Sequence, residues 1–148
     1  EVSLSFSVQS RFDSFTACCR REGIEPQVIV CKVDDDGRYE ISDVVNQLIS
    51  QDEMPTAIAC QEDGIALPLM FQLERNGFSV PGDVSLIGYD SFYTGDIGLT
   101  TIRQDPVEMA RVAARMTLDL IEERPLDEPF KTFPAQLIVR STTARLHR

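Results

Sequence analysis

Between Pro55 and Asp105 the chain twice runs a short apolar stretch straight into carboxylates, and this pattern most narrows the folds open to it. P-T-A-I-A-C-Q meets Glu62-Asp63, and V-S-L-I-G-Y meets Asp90. A helical stretch ending at Asn76-Gly77 separates the two, and L-T-T-I-R-Q-D follows the second. Strands alternating with helices of this length make βαβ units and a parallel sheet. Carboxylates then fall where successive parallel strands end, the place where open α/β sheets bind small molecules. The arrangement points to a sensor of a small polar ligand rather than to a catalyst.

The rest of the chain is read in the same way. Residues 10–22 form a helix with Phe12, Phe15, Cys18 and Cys19 on one side and Gly23 as its stop. Gln27–Val33 is a strand ending in the turn Asp34-Asp35-Asp36-Gly37, and residues 41–51 place Val44, Val45, Leu48 and Ile49 at helical spacing. Ala57–Cys60 is a buried strand whose following helix, 64–75, Asp63 caps. Val84–Tyr89 and Leu99–Arg103 are strands. Asp105-Pro106-x-Glu108 opens a long helix to about Glu123, and Phe130–Ser141 is a last strand. Two helices are apolar on more than one side. In 64–75, Leu67 and Phe71 lie off the stripe of Ile65, Ala66, Leu69, Met70 and Leu73. In the long helix, Met109, Met116 and Leu120 flank the stripe of Val107, Ala110, Ala114, Leu118 and Ile121. Such helices need cover on both sides.

Composition excludes several classes. Acidic residues outnumber basic ones 24 to 14, a formal charge of −10, which opposes phosphate binding by this surface. Arg140, Arg145, His147 and Arg148 read as a loose, solvated tail. No apolar run is long enough to cross a bilayer, so no membrane partner is expected. The start at Glu1 implies missing upstream sequence. Cys18, Cys19, Cys31 and Cys60 lack CxxC spacing and fit a reducing, cytoplasmic setting. The only histidine is His147, no Gly-rich phosphate loop is present, and no nucleophile–base pair or metal set stands out. The chain is expected not to be an enzyme and to need no cofactor or metal.

The candidate ligand residues are the acids after the strands (Asp34, Asp35, Asp36, Glu62, Asp63, Asp90) and Arg11 at the start of the first helix. Carboxylates accept from ligand hydroxyls, and a guanidinium donates in a fixed fork. The plain alternative is that these acids cap helices and shape turns, which is the preferred reading for Asp63 and stands level with the functional one for Asp34 and Asp35.

Five ordered blocks carry a resemblance: R-F-D-S-F (Arg11–Phe15), P-T-A-I-A-C-Q-E-D-G-I-A-L (Pro55–Leu67), N-G-F-S-V-P-G-D-V-S-L-I-G-Y-D (Asn76–Asp90), L-T-T-I-R-Q-D (Leu99–Asp105) and L-I-V-R-S-T (Leu137–Thr142). Together the chain resembles the C-terminal half of the effector-binding core of lactose/galactose-repressor-type (LacI/GalR) transcription regulators. The resemblance implies an α/β, periplasmic-binding-protein-like fold, a parallel sheet with helices on both faces, mostly the C-terminal lobe of a two-lobed core. Residues 1–98 would form that lobe, 99–129 cross to the N-terminal lobe, and 130–148 return. The DNA-binding headpiece is absent. It further implies a small-molecule effector, a sugar or sugar-like compound, held by Arg11, Glu62 and Asp90, with Asp36 and Gln104 near positions that line the cleft. A homodimer would form through helix 64–75 by Leu67 and Phe71, and DNA would be reached only through the missing headpiece. This chain departs from the pattern in three places: an acid at 62 where asparagine is usual, no aromatic near 36, and a shortened 91–98 segment lacking the customary proline before Leu99. A solute-binding protein of a sugar transport system is the alternative.

Overall fold

The computed structural model describes residues 6–91 and 97–145. In chain order the described elements are α1 (Phe6–Arg21), α2 (Ile41–Ile49), β1 (Ala57–Ala59), α3 (Asp63–Arg75), β2 (Ser85–Asp90), β3 (Thr100–Arg103), α4 (Pro106–Ile121) and β4 (Gln136–Ile138). The sheet order is β1-β2-β3-β4. The first three strands are parallel, with Ala57 opposite Ser85 and Ile87 opposite Thr100. β4 returns antiparallel, Thr101 facing Ile138, so the sheet is mixed rather than all-parallel. The parallel pairing of β1 with β2 requires a crossover, which α3 supplies.

The core lies on one face. Ile41, Val44, Val45 and Leu48 of α2 pack with Ile65, Ala66, Leu67, Leu69, Met70 and Leu73 of α3 over Val84, Leu86 and Leu99. Each fully buried side chain of this size contributes about 1.5–3 kcal/mol. Leu86 and Gly88 share this face, and strand alternation turns Tyr89 to the other, where α1 reaches it through Arg11.

Several expectations change. α1 begins four residues earlier than its periodicity suggested, and Gly23 does close it, at φ +75. Residues 27–33 form no strand, although Ile29 and Cys31 pack against the core; among the described residues their one bridge joins Val33 to Tyr39. Val28, Val30 and Val33 are exposed. β4 spans three residues instead of twelve; from Arg140 onward the chain bonds to Gly98, β2 and β3 through both backbone and side chains without extending the ladder. Leu67 is not on an outer face: it is only 6% exposed and joins the core, whereas Phe71 is 51% exposed.

The tail is not loose where it leaves β4. Thr142 Oγ1 accepts from Thr100 N and donates to Leu86 O, both at 2.8 Å, clamping β3 to β2. Arg140 donates from N to Thr100 Oγ1 at 2.9 Å and from Nη1 to Leu99 O at 2.7 Å. Its side chain is therefore held against the sheet. Arg145 is exposed, and His147 and Arg148 lie outside the described residues, as does most of the shortened 91–98 segment.

α4 opens as expected: Asp105 Oδ1 accepts from Glu108 N at 2.9 Å, with Pro106 first in the helix. Glu108 turns forward to Arg111 at 2.6 Å instead of back to the cap. None of its side chains is buried; Val107, Leu120 and Ile121 are more than 60% exposed.

Candidate ligand site

The C-terminal ends of β1, β2 and β3 converge with the start of α1. Here Arg11 Nη1 lies 3.3 Å from the Gln61 carbonyl, to which it donates, and 3.6 Å from Asp90 Oδ1. Its Nε donates to Ser7 O at 3.3 Å, and its guanidinium carbon sits 4.3 Å from the centre of the Tyr89 ring. A cation over a phenol ring at this distance gains about 0.5–2 kcal/mol. Gln104 Nε2 donates to the Tyr89 hydroxyl at 3.1 Å, so one ring joins the expected Arg11 and Gln104.

β2 ends on two consecutive left-handed residues, Asp90 at φ +90 and Ser91 at φ +55. Such non-glycine conformations cost about 1–3 kcal/mol and collect at functional positions. The Asp90 carboxyl is pushed up from its ordinary value by burial first; Arg11 pulls it back, while Glu62 and Asp63 raise it further.

Glu62 holds the N-cap position of α3 in extended conformation and makes no capping bond. Its Oε1 lies over Gly64, where an added Cβ would stand only 2.9 Å away. Burial, together with the Glu62 carboxylate that accepts its hydrogen bond, pushes the Tyr39 hydroxyl up to about 12. Glu62 thus lies over the first turn of its own helix and reaches Tyr39, and its charge is felt at Asp90. An aromatic does stand near position 36 after all: Tyr39, three residues on.

Asp63 does not cap α3. It is the first residue of the helix, 1% exposed, and its Oδ1 accepts from Thr101 Oγ1 at 2.7 Å, while Oδ2 is buried without a partner. Gly88 makes room for it, since a Cβ there would meet Asp63 Oδ1 at 2.2 Å. Asp34 serves its own turn, accepting from the N–H groups of Asp36 and Arg38. Asp36 pairs with Arg38 at 2.8 Å and is 71% exposed, so the structure does not bring it to Arg11. Tyr89, Tyr39 and the Gln61 carbonyl were not singled out from sequence. Tyr89 stands beside the acid at the end of its strand, but 78 positions separate it from Arg11, so no spacing rule joins them.

The arrangement offers carboxylates as acceptors, one guanidinium, one amide and two phenols, at the ends of parallel strands. It suits a small polar ligand with many hydroxyl groups.

Comparison with known proteins agrees. The family profile described as "Periplasmic binding protein-like domain" matches residues 4–143. The chain is 28% identical to the HTH-type transcriptional repressor PurR of Glaesserella parasuis, covering 96% of this chain and 44% of that protein. It is 32% identical to the HTH-type transcriptional repressor CytR of Escherichia coli, covering 92% and 41%. A crystal structure of a LacI family transcriptional regulator from Enterococcus faecalis with bound ribose superposes with a TM-score of 0.79 at 28% identity. That match covers 99% of this chain and 53% of the other. The chain spans about half or less of the length of each of these relatives.

Proposed function

The chain belongs to the periplasmic binding protein-like domain family, and from that premise we propose that it is the effector-sensing part of a LacI-type transcriptional regulator. Its ligand is a sugar or sugar-like molecule held by Arg11 and Asp90 and selected by Glu62, with Gln104 acting through Tyr89. The observation that carries this reading is the Arg11–Asp90–Tyr89 cluster at the strand ends, in a chain whose relatives are repressors and include a ribose-bound structure. Those relatives favour a regulator over a transport protein.

Residues 1–98 form the ligand lobe, 99–129 cross to a second lobe, and 130–148 return. α4, none of whose residues is buried, and the antiparallel return of β4 support that division. A dimer forms through α3 around Phe71, with Leu67 beneath the surface. DNA is reached through a headpiece upstream, since the charge of −10 opposes contact by this chain. The protein acts in the cytoplasm and performs no chemistry; among the described residues no helix is long and apolar enough to cross a membrane.

Ligand binding changes DNA affinity only through different affinities for two cleft states. Calorimetry on the intact protein with ribose and other neutral sugars, alongside gel shifts on operator DNA, tests this. Arg11→Ala and Asp90→Ala each lose one side of a mostly desolvated charged contact, about 2–5 kcal/mol, so binding weakens about tenfold or more. Unchanged affinity in both variants, or DNA affinity indifferent to every ligand bound, defeats the reading.

A further inference from the structure

We propose that the ligand of this site carries a protonated amine beside its hydroxyl groups, as an amino sugar does, with the amine seated between Glu62 and Asp90. The inference rests on the sensor reading above and names its ligand class. It follows from two mismatches in the site, one of charge and one of hydrogen-bonding capacity.

Arg11 is the cation at the strand ends, and most of its reach is already committed within the protein. Nη1 serves the Gln61 carbonyl and stands beside Asp90, Nε serves Ser7 O, and one face of the guanidinium covers Tyr89. The other arginines nearby are engaged elsewhere. Arg103, the ladder neighbour of Asp90, donates to Gln136 Oε1 at 2.8 Å; Arg38 pairs with Asp36, and Arg140 holds Leu99 O.

Among the described residues, three carboxylates stand against that guanidinium. Asp90 meets Arg11 only at 3.6 Å, beyond a hydrogen bond, so among the described residues its oxygens accept no hydrogen bond. Glu62 accepts from Tyr39 and makes no cap bond. Asp63, behind them, has one oxygen on Thr101 and the other buried with no partner, and no cation in contact. Arg11 Nη1 reaches both the carbonyl of Gln61, the residue before Glu62, and Asp90, and the charge of Glu62 acts on Asp90.

Ionised carboxylates only accept, so the ligand must supply donors. Neutral hydroxyls meet that need but leave the surplus negative charge in place. An anionic ligand would add to the surplus, with only the rest of Arg11 to greet it. An ammonium supplies three donors and the missing charge together.

The test is calorimetry and thermal shift on the intact protein with matched probes: D-glucosamine, D-glucose, N-acetyl-D-glucosamine and D-glucuronate, and the same four of the galacto series. The amine is expected to bind about tenfold or more tighter than its parent sugar, since a close charge pair in a partly desolvated site is worth at least that. The N-acetyl form, with similar reach but no charge, should lose the gain, and the uronate should bind weakest. Glu62→Gln should erase the amine preference, bringing each amine and its parent sugar to equal affinity. Parent sugars binding as tightly as the amines overturns the inference and leaves the sensor reading standing, as does an amine preference undiminished in Glu62→Gln. Silence from every probe, with ribose silent too, brings down the sugar-sensing reading along with it.

Discussion

Replacing Gly88 by alanine puts the packing around Asp63 to a quantitative test. A Cβ at 88 would stand 2.2 Å from Asp63 Oδ1 and 3.1 Å from Leu99 Cδ2. The carboxylate cannot retreat easily, because Asp63 is 1% exposed and tied at 2.7 Å to Thr101, itself fully buried. Squeezing a methyl into a filled core costs about 1–3 kcal/mol. Breaking the Thr101 bond instead strands a buried charged acceptor, at about 1.5–3 kcal/mol. Both responses are partly engaged, so Gly88→Ala should destabilise by about 3 kcal/mol or more. With room to spare, the sign would reverse, since alanine in a strand is better than glycine by about 0.5–1 kcal/mol. Urea unfolding of the intact protein, followed by far-ultraviolet circular dichroism, measures this. In an Asp63→Ala background the blocking atoms are gone, so the penalty should shrink by about 2 kcal/mol as a coupling between touching residues. A neutral or stabilising Gly88→Ala, or an equal cost in both backgrounds, refutes the argument.

Three further outcomes are expected. Phe71→Asp should convert a dimer to folded monomers in analytical ultracentrifugation, while Leu67→Asp should unfold the lobe, because a charge at a 6% exposed core site has no water to reach; a dimeric Phe71→Asp variant would move the interface elsewhere. Asp90 holds its proton more tightly folded than unfolded, so it contributes no cost below its ordinary 3.8 and a full cost above its raised native value. Asp90→Asn, which also tolerates a left-handed backbone, should therefore raise the melting temperature at neutral pH, and that gap should close as pH falls toward 3.8; a gap independent of pH contradicts the burial argument. Thr142→Val leaves the Thr100 N–H and the Leu86 carbonyl without their buried partner and should cost about 2–4 kcal/mol in a thermal melt; a loss under about 0.5 kcal/mol would mean that the clamp is dispensable.

What the sequence disclosed follows from the range of each signal. α3 and β2 were legible because periodicity and turn residues act within a dozen positions: the stripe Ile65, Ala66, Leu69, Met70, Leu73 is buried as a unit. The block 27–33 has strand composition, but a ladder needs a neighbour, and composition does not say whether one is present. Asp63 and Arg140 were misread for the same reason. Each has a respectable local role, cap or solvated tail, and each is claimed by partners about 40 residues away. Arg11 and Asp90 were candidates from their places at a helix start and a strand end, but spacing did not decide their role and the family resemblance did; that they stand together is visible only in three dimensions, and Tyr89 beside them went unnoticed. Leu67 was misplaced because a helical wheel assigns one buried side, whereas α3 packs against both a sheet and α2.

The Thr142 clamp also bears on the order in which the lobe is completed. Its bonds reach back 42 residues to Thr100 and 56 to Leu86, and Ser85 is joined to Ala144 across 59. On a ribosome β2 and β3 emerge well before the residues that lock them together. During that interval two short parallel strands must persist on their own ladder bonds, and contacts of such long sequence separation form slowly. The nascent lobe therefore passes through a stage with its sheet formed but unfastened, and with apolar edge exposed to any neighbouring chain. Pausing of translation ahead of Arg140 would lengthen that stage, and truncation there would make it permanent.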